Sequence, residues 1–226
     1  MKQNIQTTTF FGLLAFGGAF LGLVHAAPGQ TFTMLGSLGG SIGSVPENMS
    51  LVQGADGNFY GTTSQGGANG YGTVFNMSPA GALTVLCNFN GRPRGGANPA
   101  AGLVQATNGF FYSTTSGAYA DSFGTIFKMS LGGALTTLHE FVETDGAIPG
   151  AAMVEAANGD VYGTTVKGGY GYGTIFKVTP KGKFTSLYAF EEAVGESANT
   201  LLQAPDGDFY STAGGGELMG WVPYLK

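Results

Sequence analysis

The sequence predicts an all-β fold: a β-propeller of about four four-stranded blades. The stretch DGNFYGTT starts at Asp56 and returns in close copies that start at Asn108, Asn158 and Asp206, at intervals of 52, 50 and 48 residues. Repeats of this length form architectures in which each unit buries its apolar faces against a neighbour. Each repeat contains strand-like stretches, and outside the N-terminal segment none sustains the 3.6-residue apolar period of a helix. The repeat therefore predicts stacked β-sheets of one design.

The first full repeat, residues 51–89, shows four strands in order. The segments LVQ and NFYGTT flank an Asp-Gly pair, which predicts a hairpin with a type I′ turn. The loop SQGGANGY leads to a third strand, GTVFNMS, and the turn PAG leads to a fourth, ALTVLCNF. Because Leu86 and Phe89 are three residues apart, the fourth strand is expected to be covered on both faces or to contain a bulge.

The two ends of the chain predict how the last blade is completed. The blades start near residues 51, 103, 153 and 201, and residues 31–38 (TFTMLGSL) match the fourth-strand pattern. Residues 220–226 (GWVPYLK) align with the third strand, so pairing with residues 31–38 would complete the last blade and close a ring. Pro223 weakens the alignment because proline donates no ladder hydrogen bond. An open arc of blades is the alternative.

Residues 1–26 have the pattern of a secretory signal peptide. Lys2 precedes a 15-residue apolar run, residues 10–24, and small residues precede a cut after Ala26. An uncleaved anchor is the alternative, but a membrane span needs about 20 apolar residues. The prediction is a single repeat domain, residues 27–226, that is secreted or periplasmic and has no membrane attachment after cleavage.

Composition limits the classes of partner. Only 10% of residues are charged and the net charge is −5, which argues against nucleic acid. Cys87 is the only cysteine, so no intramolecular disulfide is possible, and it is expected to be a small buried hydrophobe. His139 is the one histidine beyond the leader. The sequence shows no metal-ligand spacing and no catalytic constellation, so neither a metal nor a cofactor is expected.

Loop lengths predict which side carries a ligand. The connections between strands one and two and between strands three and four are tight turns, whereas the others are long and variable. Binding surfaces are commonly built on such loops. Aromatic rings there suit stacking on sugar faces, or else they cap the gaps between blades. The acidic residues either bind a cation or a basic ligand or are simply solvated. The predicted ligand-binding residues are Tyr71, Tyr119, Phe123, Tyr170, Tyr172, Asp121 and Asp145.

Residues 56–75, DGNFYGTTSQGGANGYGTVF, resemble the GloVer-type tandem repeat of secreted bacterial proteins. The resemblance extends from about residue 31 to the end of the chain, because YGTT, the double Gly and GTxF recur in order. It implies a propeller-like extracellular repeat protein. It brings no established active-site residues.

These observations favour a secreted, non-enzymatic module for binding or adhesion to an extracellular glycan or surface protein. One alternative is a propeller-fold polysaccharide hydrolase or lyase with Asp121 and Asp145 as acid and base. Another is a truncated structural fragment with no ligand.

Overall fold

A computed structural model describes residues 33–46, 50–92, 95–117, 122–191, 196–214 and 218–221. The chain divides into two compact units, residues 1–34 and 35–226. Of the first unit, Thr33 and Met34 are described, and both are exposed. The described residues of the second unit form sixteen strands and one short 3₁₀ helix, Gly40–Ile42. Across the described ranges, no helix is both long enough and apolar enough to span a membrane.

The strands form four antiparallel sheets of four strands each, which confirms the all-β prediction. Sheet 1 contains β1 (Val52–Gln53), β2 (Phe59–Thr63), β3 (Thr73–Met77) and β4 (Leu83–Asn88). Sheet 2 contains β5 (Val104–Gln105), β6 (Phe111–Thr115), β7 (Thr125–Met129) and β8 (Leu135–Glu140). Sheet 3 contains β9 (Val154–Glu155), β10 (Val161–Thr164), β11 (Thr174–Val178) and β12 (Phe184–Ala189). Sheet 4 contains β13 (Glu196–Ala198), β14 (Leu202–Gln203), β15 (Phe209–Gly214) and β16 (Leu218–Trp221).

Sheet 4 departs from the order of the other three. Strands β14, β15 and β16 repeat the first three strands of sheet 1, but the fourth member, β13, pairs with the far end of β15. Met219 opposes Ser211, as Phe75 opposes Gly61 in sheet 1. The alignment that put Pro223 at the position of Phe75 is therefore wrong by four residues. The third strand comes earlier because 3 residues separate β15 from β16, whereas 9 separate β2 from β3.

Closure of the sheets into a ring stays a prediction. Residues 31, 32 and 222–226 lie outside the described ranges, and the described residues 33–38 form no strand. The pairing of residues 31–38 with residues 220–226 is thus not shown.

Hydrogen bonds of threonine hydroxyls explain why the threonines of YGTT and GTxF recur. The second Thr of YGTT bonds to the Thr of GTxF through their buried hydroxyls, at 3.0, 2.8 and 2.9 Å in Thr63–Thr73, Thr115–Thr125 and Thr165–Thr174. The first Thr donates to a carbonyl in the connection to the next sheet, at 3.4, 3.4 and 3.2 Å in Thr62–Ala101, Thr114–Pro149 and Thr164–Asn199. One threonine thus ties its own sheet together, and the other ties it to the following sheet.

The first turn of each sheet differs from the predicted type I′ geometry. A type I′ turn needs positive φ at both central residues. In sheet 1, Gly57 has a φ of 84°, but the φ of Asp56 is not positive. Gly57 N donates to Gly54 O at 2.9 Å, so the turn spans residues 54–57 and its central residues are Ala55 and Asp56, neither of which has a positive φ. The left-handed glycine follows the turn, and the Asp56 carboxylate accepts a hydrogen bond from Asn58 N at 3.2 Å.

Three clusters of buried side chains lie between consecutive sheets. Between sheets 1 and 2, the rings of Tyr60 and Phe111 lie 4.4 Å apart, and between sheets 3 and 4, those of Tyr162 and Phe209 lie 4.5 Å apart. Phe176 belongs to the cluster between sheets 2 and 3. A cluster joining sheet 4 to sheet 1 is not among those that the described residues form.

The fourth strands of sheets 1 to 3 contain a bulge, which is one of the two arrangements that the sequence left open. The register shifts at the equivalent point in each, which leaves Leu86, Leu138 and Leu187 as the extra residues. All three pack against the clusters between sheets. Cys87, next to the first bulge, also packs there, and burial raises the pKa of its thiol. A thiol held protonated behaves as a small hydrophobe.

Asp56 should make the stability of sheet 1 depend on pH. The Tyr60 hydroxyl donates to Asp56 Oδ2 at 2.8 Å and holds the pKa of that carboxyl below its ordinary value of 3.8. A lowered native pKa stabilises the fold above the unfolded pKa, and this contribution is lost as the pH falls through the native value. In sheet 2 the equivalent residue is uncharged, since Asn108 Nδ2 donates to Tyr112 Oη at 2.9 Å.

We therefore expect Asp56→Asn to give sheet 1 the arrangement of sheet 2 and to remove this titration. Between about pH 6 and about pH 3, the unfolding free energy of the parent chain should fall more than that of the variant. Urea unfolding of both proteins across this range measures the difference. Parallel curves would show that the carboxylate does not contribute.

Candidate ligand-binding site

The long connections are tied to the sheets by backbone hydrogen bonds. In the connection from sheet 2 to sheet 3, Ala147 and Lys167 exchange two bonds, of 2.7 and 3.0 Å. Ile148 N donates to Phe123 O at 2.9 Å, and Ile148 O accepts from Val166 N at 3.1 Å. The connection is therefore held between a loop of sheet 2 and a loop of sheet 3. Loops held in this way make a preorganised wall for a site.

Ile148 has a φ of 54°, which lies in the left-handed region. A β-branched residue rarely adopts this conformation. The equivalent residues Val45 and Asn98 have φ of 58° and 52°, so the conformation is a repeated feature of these connections. The two backbone bonds to Phe123 and Val166 hold Ile148 in place. Ile148 also lines the pocket that opens here.

A pocket of about 770 Å³ lies between sheets 2 and 3, on the side of the long connections. Three segments form its walls: the loop between β6 and β7, the connection from β8 to β9, and the loop between β10 and β11. Small-molecule sites commonly have volumes of about 300–1,000 Å³. The pocket is therefore large enough for a small organic ligand or for one or two sugar units.

The lining combines an exposed ring, hydroxyls and both signs of charge. Tyr170 is 70% exposed. Glu143 and Lys167 are exposed and supply one carboxylate and one amine. Hydroxyl groups come from Ser116, Ser122 and Thr144. An aromatic face beside several donors and acceptors suits a polyhydroxylated ligand, because the ring packs on C–H groups while the polar groups bond to hydroxyls.

Phe123 and Tyr170 are the two predicted ligand-binding residues that the structure brings together in this pocket. Phe123 is half-buried and packs against the cluster between sheets 2 and 3, so it forms part of a fixed wall. Tyr170 projects from the glycine-rich loop Gly168–Gly171, whose backbone is anchored where Gly169 N donates to Glu143 O at 2.9 Å. An exposed ring on an anchored loop can meet a ligand without large rearrangement.

Tyr71 and Tyr172 lie elsewhere. Both are half-buried, Tyr71 against the cluster between sheets 1 and 2 and Tyr172 against the cluster between sheets 3 and 4. Neither lines the pocket described above. Both rings pack against clusters between sheets, as Phe123 does, but they do not line this pocket.

Asp145 is engaged in a local network beside the pocket. Its Oδ2 lies 3.0 Å from His139 Nε2, and its Oδ1 accepts from Val142 N at 2.9 Å. The His139 ring is stacked on Phe184, with centroids 3.6 Å apart and planes 2° apart. Asp145 therefore holds the start of the connection and orients the histidine. Tyr119 and Asp121, the remaining predicted residues, lie outside the described ranges.

Sequence reasoning did not select Glu143 and Lys167 as site residues. Both were visible as charges in long loops, but Ala147 pairing with Lys167 is what brings the two loops together. That pairing joins residues 20 apart, one in the connection from sheet 2 to sheet 3 and the other in the loop between β10 and β11. No local pattern signals it. Within the described ranges, no group of three or more His, Cys, Asp and Glu side chains is placed to hold a metal ion.

The fold is similar to those of solved enzyme structures. A streptogramin B lyase is 19% identical, with a TM-score of 0.54 over 80% of this chain and 57% of the lyase. Virginiamycin B lyase from Staphylococcus aureus is 14% identical, with a TM-score of 0.50 over 77% of this chain and 55% of that chain. A gluconolactonase from Xanthomonas campestris is 13% identical, with a TM-score of 0.51 over 76% of this chain and 61% of that chain.

At these identities the similarity shows a β-propeller-like fold and nothing about activity. The chain spans little more than half the length of these proteins. A search of curated proteins finds no match.

The sequence also matches a family model, the Gloeobacter/Verrucomicrobia repeat, over residues 4–170 and again over residues 48–220. These two overlapping matches cover most of the chain and confirm the resemblance carried by the YGTT and GTxF motifs. The protein is a member of the Gloeobacter/Verrucomicrobia repeat family.

Proposed function

We propose that this protein is a secreted, non-enzymatic binding module that takes an extracellular carbohydrate in the pocket between sheets 2 and 3. The observation that carries the proposal is the exposed ring of Tyr170 over a preformed pocket of about 770 Å³. A ring that is 70% exposed has an apolar face that water solvates poorly. Stacking a sugar on it removes that face from water.

The polar groups of the pocket suit the hydroxyls of a sugar. Ser122 and Thr144 offer hydroxyls that both donate and accept, while Glu143 accepts and Lys167 donates. Because both charges are present, a neutral or zwitterionic sugar fits the pocket better than a polyanion or a polycation. The proposal does not depend on ring closure, since the pocket lies between two adjacent sheets.

Export is supported by the leader pattern in residues 1–26. The low content of charge and the lone cysteine are compatible with a protein that works outside the cell. The binding experiment is therefore best done on chain recovered after export, and N-terminal sequencing of that material should begin at Ala27.

Catalysis receives less support. Glycoside hydrolysis uses two carboxyl groups across a cleft. Among the described lining residues Glu143 supplies the one carboxylate, and Asp145 is bonded to His139. The lyase and lactonase names of similar structures belong to chains at most 19% identical, which is a likeness of fold.

Tyr170→Ala should weaken carbohydrate binding at least about ten-fold, because truncating an aromatic anchor commonly costs about 2 kcal/mol. A glycan array identifies the ligand, and titration calorimetry compares the two proteins. Phe110→Ala is the matched control: that ring is 36% exposed and follows a tight turn on the opposite set of connections. This control should bind like the parent chain. Equal binding by the parent chain and Tyr170→Ala, or an array with no bound glycan, would reject the carbohydrate site.

A further inference from the structure

The interface between consecutive sheets is built three times from the same positions. On one side lies a Tyr from the second strand: Tyr60, Tyr112 or Tyr162, each at most 1% exposed. On the other side lies the first residue of the next sheet's second strand: Phe111, Val161 or Phe209, again at most 1% exposed. Leu103, Met153 and Leu201 fill the same three interfaces and are at most 5% exposed. Each sheet thus has a leading face, which receives the preceding sheet, and a trailing face, which receives the following one.

The described residues cover the leading face of sheet 1 only in part. Leu35 approaches Gly81 in the turn between β3 and β4, as Leu86 approaches Gly133 in sheet 2, but the positions nearer the first two strands are more exposed. Leu51, the equivalent of Leu103, is 50% exposed. Phe59, the equivalent of Phe111, is half-buried. Apolar side chains that three equivalent positions keep dry are here in contact with water.

Among the described residues, the trailing face of sheet 4 is also more exposed than its equivalents. Tyr210, the equivalent of Tyr60, is 44% exposed. Leu202 pairs with Tyr210 across the strands and is 65% exposed, whereas its equivalents Val52 and Val104 are half-buried. The chain therefore presents the two halves of one apolar interface on two different sheets.

We infer that the trailing face of sheet 4 docks on the leading face of sheet 1 of a second copy of this chain. The contact continues an interface that the protein already forms three times: Tyr210 takes the role of Tyr60, and Phe59 takes that of Phe111. Two different faces meet, so the association is head-to-tail and either closes into a ring of copies or continues as a chain of copies. Burial of the four apolar side chains drives it.

One residue makes this contact weaker than the internal ones. In the internal interfaces, a turn N–H donates to a side chain of the next sheet, as Ala55 N does to Gln105 Oε1 at 3.0 Å and Ala157 N does to Gln203 Oε1 at 3.1 Å. The equivalent residue in sheet 4 is Pro205, which has no N–H. The docked interface lacks this hydrogen bond, so the association is reversible and depends on concentration.

Sedimentation velocity of the full chain tests the inference. The mean mass should rise as the concentration is raised from about 1 μM to about 100 μM. Leu51→Asp and Tyr210→Asp each place a charge in the apolar contact, so each variant alone should stay monomeric. Both positions are exposed, and circular dichroism should show that both variants are folded. Tyr170→Asp, on the side of the long connections, is the control and should associate like the parent chain.

Mixing the two variants provides the decisive measurement. Leu51→Asp keeps an intact trailing face, and Tyr210→Asp keeps an intact leading face. An equimolar mixture should therefore form a dimer that cannot grow further. A parent chain that is monomeric at every concentration would overturn the inference, as ring closure within one chain would require. A mixture that stays monomeric, or variants that associate like the parent chain, would overturn it as well.

Discussion

Replacing Phe176 by Ala should lower the free energy of unfolding by about 3–5 kcal/mol. The side chain is fully buried in the cluster that joins sheets 2 and 3, and its ring lies 5.2 Å from that of Phe141 and 5.8 Å from that of Phe184. Truncation removes these contacts and leaves a cavity that rigid strands on both sides cannot close. Against a usual domain stability of about 5–15 kcal/mol, this is a large loss.

Guanidinium unfolding measures the effect as a lower midpoint with an unchanged slope. Tyr170→Ala is the control, because its ring is 70% exposed and its truncation should change stability by no more than about 0.5 kcal/mol. A Phe176 variant as stable as this control would contradict the assignment of the cluster as the core between the two sheets.

Gly124→Ala should destabilise the protein by about 3 kcal/mol or more. Gly124 opens the GTIF motif of sheet 2 and has a φ of 106°, where a side chain is strained. A Cβ there would lie 2.3 Å from the Thr115 carbonyl oxygen and 2.8 Å from Pro149 Cδ. The first of these is backbone of the adjacent strand, so the clash is relieved only by moving β6 away from β7.

Gly109→Ala separates the clash from the conformational strain. Gly109 lies in the turn of the same sheet with a φ of 83°, but a Cβ added there would have no neighbour within 4 Å. Its replacement should therefore cost the strain alone, about 1–2 kcal/mol. Thermal or denaturant unfolding of both variants gives the comparison. Equal losses would mean that the close approach at Gly124 does not matter.

Gly72 and Gly173 extend the argument to the other sheets. A Cβ at either would lie 2.1 or 2.2 Å from the carbonyl oxygen of Thr63 or Thr165. The glycine of GTxF recurs because its φ is positive and an added Cβ would meet the carbonyl oxygen of the last Thr of YGTT. The threonine that follows it recurs because its hydroxyl bonds to the last Thr of YGTT. The glycine and threonine of GTxF and the last threonine of YGTT thus recur because of contacts between the second and third strands of each sheet.

Much of the fold could be predicted from the sequence, because residues close together in the chain specify strands and turns. The spacing of YGTT and the Asp-Gly and Asn-Gly turns predicted four sheets and the strand order of sheets 1 to 3. The three-residue offset of Leu86 and Phe89 left coverage on both faces or a bulge open, and the structure has the bulge. The fourth copy was misaligned at its third strand because its sequence is degraded there, and strand register is set by pairing across the sheet. The type I′ turn was wrong because the hairpin closes with a turn over residues 54–57, in which Gly57 follows the two central residues, and the same Asp-Gly pair permits both arrangements.

For the candidate site, the sequence indicated only the side of the protein and some of the residues. Loop length indicated the side of the long connections, and aromatic content indicated Phe123 and Tyr170. The same reasoning also selected Tyr71 and Tyr172, which the structure packs between sheets. Whether a loop tyrosine meets solvent or fills a gap depends on the neighbouring sheet, which lies about 50 residues away in the chain.

By itself, the sequence determined the repeating unit and the positions of its turns, because hydrogen bonding and steric limits within a few residues specify strands and turns. The repeated motifs also indicated the family. Only the tertiary structure decided that Glu143 and Lys167 share a pocket, that Asp145 is bonded to His139, and that Leu51 and Tyr210 remain uncovered. Contacts between sheets join residues far apart in the chain, so the sequence near a position does not show whether a neighbouring sheet covers it.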